Sequence, residues 1–152
     1  MKSFAAISTL LLSAVSAAPL EKRQDSQYEI TNFSANTTPH GTGAYMSYNL
    51  EIPGVLNTTC TYSDQTSVGQ LPDITPYRPC DDASITWQFR QIQAAPTGPG
   101  PYLLVILYKD ATTSVVVDGS QTWSSTDFPV EDEGSSVAQF FRGEPNFTIT
   151  IG

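Results

Sequence analysis

Few residues in this chain have chemistry to offer: two cysteines, one histidine, four N-x-Ser/Thr triplets and some acidic neighbours. Cys60 and Cys80 are the only cysteines, and they bracket a polar stretch with a strand-like run entering it and another leaving it. Metal ligation would want further Cys or His nearby, and the single histidine is His40, within Pro39-His40-Gly41. One disulfide between Cys60 and Cys80 is therefore expected, and no metal site. In the chain-entropy account a bridge closing a loop of that length contributes on the order of 3 kcal/mol. The triplets Asn32-Phe-Ser, Asn36-Thr-Thr, Asn57-Thr-Thr and Asn146-Phe-Thr use four of the five asparagines. As glycosylation sequons they belong on outward faces of an exported protein.

Catalysis finds little support. A Ser-His-Asp triad needs an imidazole base, and His40 reads as a turn residue; no Gly-x-Ser-x-Gly elbow is present. Two opposed carboxylates would suit glycoside hydrolysis. Asp81-Asp82 and Glu131-Asp132-Glu133 are instead adjacent in turns, where neighbouring side chains diverge, and neither has calcium-loop spacing. The expectation is a non-enzyme without a cofactor, with a carboxylate-based glycosidase as the remaining enzymatic option. Tyr45, Tyr77, Tyr102, Tyr108 and Trp123 are left over. They read first as core and strand-face aromatics and second as the lining of an apolar pocket or sugar-stacking face, with Tyr77 and Trp123 as the binding candidates.

The elements that must position these groups have a period of two, and helical spacing is nearly absent. Tyr28 and Ile30 share a face, after which Phe33 and Ala35 shift parity, predicting a bulge near Asn32. Ala44, Met46, Tyr48, Leu50 and Ile52 alternate with polar or half-polar neighbours, and after Pro53-Gly54 the set Leu56, Thr58, Cys60 and Tyr62 continues as a hairpin partner. The Cys60 to Cys80 segment reads as a loop stiffened by Pro72, Pro76 and Pro79, with Leu71, Ile74 and Tyr77 tucking back. Ile85, Trp87 and Phe89 point inward, Trp87 anchoring the core beside the disulfide on a strand adjacent to that of Cys60. Tyr102 to Tyr108 reads as a strand buried on both faces, and Asp118-Gly119 as a turn after Ser114 to Val117. Val137 to Phe141 and Phe147 to Ile151 close the chain as short strands. The whole predicts an all-β domain, a compact antiparallel sandwich or barrel of about seven to nine strands.

Residues 1–17 read as a signal peptide: a basic Lys2, an apolar run from Phe4 to Val15, and small residues ending at Ala17. Residues 18–23 read as a short propeptide ending in the dibasic Lys22-Arg23, leaving one domain over residues 24–152. Processing there removes three of seven basic and one of fifteen acidic residues, so four against fourteen remain and the net charge moves from −8 to −10. Such a surface repels nucleic-acid phosphate and anionic lipid. No later apolar run approaches the roughly 18 residues of a membrane span. A secreted, extracellular protein is expected.

The leader Ala18-Pro-Leu-Glu-Lys-Arg-Gln24, the strand Tyr28-Glu-Ile-Thr-Asn-Phe-Ser-Ala35, Pro39-His40-Gly41, Cys60-Thr-Tyr-Ser63, Leu71-Pro72 and Cys80-Asp-Asp-Ala-Ser-Ile-Thr-Trp-Gln-Phe89 resemble small secreted fungal proteins of the Alternaria major allergen-like group. That resemblance implies a compact β-barrel or sandwich and a role at the fungus–host interface as allergen or effector, binding a host protein or a small apolar, phenolic ligand. The group's founding allergen carries more cysteines and a disulfide-linked dimer, so covalent dimerisation does not carry over, nor do ligand residues. The functional expectation is a secreted, non-enzymatic effector or allergen-like binding protein. The alternative is a carbohydrate-binding or cell-wall structural protein.

Overall fold

The structure is a computed structural model that describes residues 27–39, 43–65, 69–93, 99–132 and 134–152. The expectations on Ala17, Lys22, Arg23 and His40 lie outside the described residues.

Among the described residues, alternation of apolar and polar residues builds ten strands: β1 (Gln27–Thr37), β2 (Ala44–Ile52), β3 (Leu56–Asp64), β4 (Ile74–Pro79), β5 (Ile85–Gln91), β6 (Tyr102–Lys109), β7 (Val116–Trp123), β8 (Val130–Asp132), β9 (Val137–Gln139) and β10 (Phe147–Thr150). One turn of 3₁₀ helix, Ser125–Asp127, follows β7, its first turn capped by the Ser124 hydroxyl. The strands form two antiparallel four-stranded sheets, ordered β10-β1-β2-β3 and β4-β5-β6-β7, with β8 and β9 as a separate hairpin. The all-β expectation holds. The inward residues of both sheets meet in one core, in which the Tyr48 ring of β2 sits edge-on against Trp87 of β5 at 5.5 Å.

Both open sides of the sandwich are closed. On one side Cys60 of β3 is bonded to Cys80, which directly follows β4. Beside the bridge, Asp81 N–H donates to the Thr59 carbonyl and Asp82 N–H to Thr58 Oγ1, each at 2.9 Å. On the other side Gly152 N–H donates to the Asp118 carbonyl at 3.1 Å, and the Tyr28 hydroxyl to the Val117 carbonyl. Gly119 permits this approach: a Cβ there would stand 2.7 Å from Ile149 Cγ2 and 3.0 Å from the Tyr28 ring.

Several local expectations change. Part of the Cys60 to Cys80 loop is the strand β4, Pro76 and Pro79 included and Pro72 before it, because an edge strand has one unpaired side where a missing N–H costs nothing. Cys60 and Trp87 lie in different sheets, so the bridge joins two layers rather than adjacent strands. Asp118-Gly119 is not a turn but mid-strand in β7, opposite Leu107 and Ile106. Leu103, Val105 and Leu107 of β6 are only half-buried, since none of the strands among the described residues is layered over the outer face of their sheet. The bulge is found where parity shifts, between Thr31 and Ser34, with Asn32 at φ 56°. Leu71 and Ile74 do tuck into the core, whereas Tyr77 stays outside.

Candidate functional site

The chemistry that the fold concentrates lies at one end of the sandwich. Gln91 ends β5, Tyr102 begins β6 and Trp123 ends β7, and the ladder sets the three in one row. The β8–β9 hairpin crosses this end to reach the other sheet, where Phe141 N–H donates to the Ala35 carbonyl and Phe140 pairs with Asn36.

Gln139, at the end of β9, ties the parts together. Its Nε2 donates to the Tyr102 hydroxyl and to the Phe128 carbonyl, and its Oε1 accepts from Leu71 N–H, all at 2.8 Å. Its own N–H donates to Thr37 Oγ1 at 2.8 Å. A buried carboxamide is tolerated only when its donors and acceptor are matched, and here each is. Three of its four partners lie 37 or more positions away in sequence, so local periodicity does not single out a glutamine inside Val137-Ala-Gln-Phe-Phe141. The available signal was a lone polar residue in an apolar run.

Around Gln139 the aromatic rings form a continuous stack. Phe89 lies parallel to Tyr102 at 5.4 Å, Tyr102 touches Phe128 at 4.3 Å, and Phe128 meets the edge of Trp123 at 5.9 Å. Trp123 in turn stacks on Phe33 at 4.9 Å. Over this stack opens a cleft of about 230 Å³ whose walls include Gln91, Tyr102, Phe128, Pro129, Val130 and Gln139. The Tyr102 oxygen accepts from Gln139, and its own proton meets no acceptor among the described residues. Burial pushes this hydroxyl above the ordinary tyrosine range, against the opposing effect of the Gln139 bond, so at neutral pH it is an uncharged donor.

Of the five aromatics singled out from sequence, Tyr102 lines this cleft and Tyr45, Tyr77, Tyr108 and Trp123 do not. Trp123 packs behind the cleft through Phe128 and is not part of the cleft wall. The reason is its position at the row's end, where the rings of Phe33, Phe141 and Phe147 enclose it. Tyr77 is 39% exposed on β4, its oxygen accepting from Gln88 Nε2, and is not part of the cleft wall. Of the sequon asparagines, Asn32, Asn57 and Asn146 are exposed and Asn36 is half-buried.

The acidic residues are engaged in turns and on the surface. Asp82 Oδ1 accepts from the Ser84 hydroxyl and N–H, which holds the carboxyl below its ordinary range. Asp110 is lowered likewise by the Thr113 and Thr112 N–H groups. Glu131, lowered by its hydrogen bonds from Arg142, meets that guanidinium through both oxygens at 2.7 Å. Among the described residues no group of three or more His, Cys, Asp or Glu is arranged to hold a metal ion, and no helix is long and apolar enough to cross a membrane.

No protein-family model matches the chain, and no curated protein matches it. Among solved structures, the Alternaria alternata allergen Alt a 1 aligns over 90% of this chain and 95% of its own, at a TM-score of 0.50 and 15% identity. The chain has the fold of that allergen. A second structure of the Alternaria major allergen aligns over 84% and 94% of the two chains at 16% identity and a TM-score of 0.48. The Alt a 1 fold is what the sequence resemblance implied, and at this identity the likeness is one of architecture.

Proposed function

We propose that the protein is a secreted, non-enzymatic binding protein of the fungal allergen and effector type, and that it takes a small apolar phenolic molecule in the cleft at the β8–β9 end. The observation that carries this reading is the cleft itself: Tyr102 and Phe128 in its lining beside Gln91 and Gln139, with the Tyr102 O–H proton unspent among the described residues. An apolar lining takes an apolar body, and a few convergent polar groups orient it. The Alt a 1 fold and the buried disulfide support an extracellular setting, where such bridges persist. Of the carboxylates weighed from sequence, Asp82 is tied into a turn by Ser84 and Glu131 into an ion pair with Arg142. The test expresses the full chain with its own leader, assays the medium, and dialyses recovered protein against 2-naphthol as a phenolic probe. Saturable uptake of one equivalent supports the reading. Protein held in the cells rejects secretion, and no uptake up to about 1 mM, the weak end of specific affinity, rejects the ligand.

A further inference from the structure

The four sequons are scattered over more than a hundred positions of sequence, yet the fold brings all of them to one sheet. Asn32 and Asn36 lie in β1, Asn57 in β3 and Asn146 immediately before β10, all within or against the sheet β10-β1-β2-β3. The outward positions of that sheet are mainly hydroxyl, amide and carboxylate side chains such as Ser34, Ser47, Thr59 and Glu51, with the exposed Tyr45 ring among them. The outward positions of β5, β6 and β7 hold no asparagine at all; their centre is the half-buried row Leu103, Val105 and Leu107.

The four sites are not equivalent. Asn57 is exposed, opposite Glu51, and its carboxamide makes no hydrogen bond to the described residues. Asn32 and Asn146 are side by side in the folded sheet: Asn146 Oδ1 accepts from the Asn32 backbone N–H at 3.0 Å. Asn36 is half-buried between β2 and Phe140, and its Nδ2 is directed at the Thr37 carbonyl at 3.4 Å.

We infer that the secreted protein carries two N-linked glycans per chain, one on Asn57 and one on either member of the Asn32–Asn146 pair, so that one sheet bears the whole glycan coat and the other stays bare. The inference rests on the secretory reading above. In the transfer step the asparagine Nδ2 attacks C1 of a polyprenyl-pyrophosphate-linked oligosaccharide. A C–N bond forms, the C1–O bond breaks, the pyrophosphate leaves with the bonding electrons, and Nδ2 loses one proton. The Oδ1 contact of Asn146 survives, because glycosylation replaces an Nδ2 hydrogen only.

Full-length protein is expressed with its leader in a yeast secretory host and recovered from the medium. An endoglycosidase that leaves one N-acetylglucosamine per site then allows intact mass to count sites, and peptide mapping to place them. The expected result is two stubs, one on Asn57 and the other divided between Asn32 and Asn146. Asn57→Gln should lose one stub, while Asn146→Gln keeps two because Asn32 takes its place. A stub on Asn36, both members of the pair modified on one molecule, or secreted protein with no stub overturns the inference alone. Absence from the medium overturns the secretory reading and this inference with it.

Discussion

Replacing Cys60 and Cys80 together by alanine removes the covalent closure between β3 and β4, the facing edges of the two sheets. The cysteines are separated by 20 residues in sequence, and in the chain-entropy account a cross-link over such a span contributes about 3 kcal/mol by restricting the unfolded chain. Both residues are buried, Cys60 at 0% and Cys80 at 8% exposed, so deleting the sulfurs adds about 1 kcal/mol of lost packing. The Asp81-to-Thr59 and Asp82-to-Thr58 hydrogen bonds remain and hold the native edges in place. The expected loss is therefore about 3–4 kcal/mol, a large share of a typical domain's stability, with a melting temperature lower by roughly 10–15 °C. The assay is reversible urea unfolding followed by the fluorescence of buried Trp87, comparing variant and disulfide-intact protein. The slope m should rise as well, since the unfolded chain without its cross-link exposes more surface. A loss below about 1 kcal/mol with unchanged m would refute the reasoning, showing that hydrogen bonds and packing alone close this side.

Gln139→Ala removes three hydrogen bonds and strands Leu71 N–H and the Phe128 carbonyl; urea unfolding should show a cost of about 2–4 kcal/mol. Tyr48→Phe works in the opposite direction. Its hydroxyl is fully buried without a partner among the described residues, so deleting it should stabilise the protein by about 1 kcal/mol, read as a rise in thermal midpoint. In acid, Asp82, Asp110 and Glu131 have folded values depressed below the ordinary 3.8 or 4.5. Their contribution is complete above those values and is lost as pH falls through the lower folded ones, so urea midpoints should hold at pH 5–7 and decline below about pH 4. In base the sign reverses. Burial raises Tyr28, Tyr48 and Tyr102, while burial together with Asp64 pushes Tyr62 up to about 12. That stability is complete below the ordinary value of 10.0 and fades above it, so tyrosinate absorbance should rise together with unfolding.

Much of the fold was legible because half-buried strands alternate. The run Ala44 to Ile52 shows the pattern without a break, and β1 shows its bulge as a change of parity at Asn32. β4 was hidden because its prolines suit an unpaired edge as well as they suit a loop. Gly119 misled for a related reason: Asp-Gly favours turns, but here the missing Cβ serves the approach of Tyr28 and Ile149. Of the cleft only Tyr102 was legible, because its walls come from the end of β5, the start of β6, the segment at Phe128 to Val130 and β9, joined by contacts such as Gln139 to Tyr102, 37 residues apart. Local periodicity carries no record of such pairings. Trp123 looked available for the same reason, since only its tertiary neighbours show that it is enclosed.

The central claim, that the Tyr102–Phe128 cleft is a binding site for a small phenolic molecule, is tested most directly by titrating 2-naphthol into folded wild-type, Tyr102→Phe and Tyr77→Phe proteins by calorimetry. Wild type should bind one equivalent, Tyr102→Phe about tenfold more weakly for the loss of one hydrogen bond, and Tyr77→Phe like wild type because it lies off the cleft wall. Absence of saturable binding to wild type, or equal affinity for all three, would contradict the account.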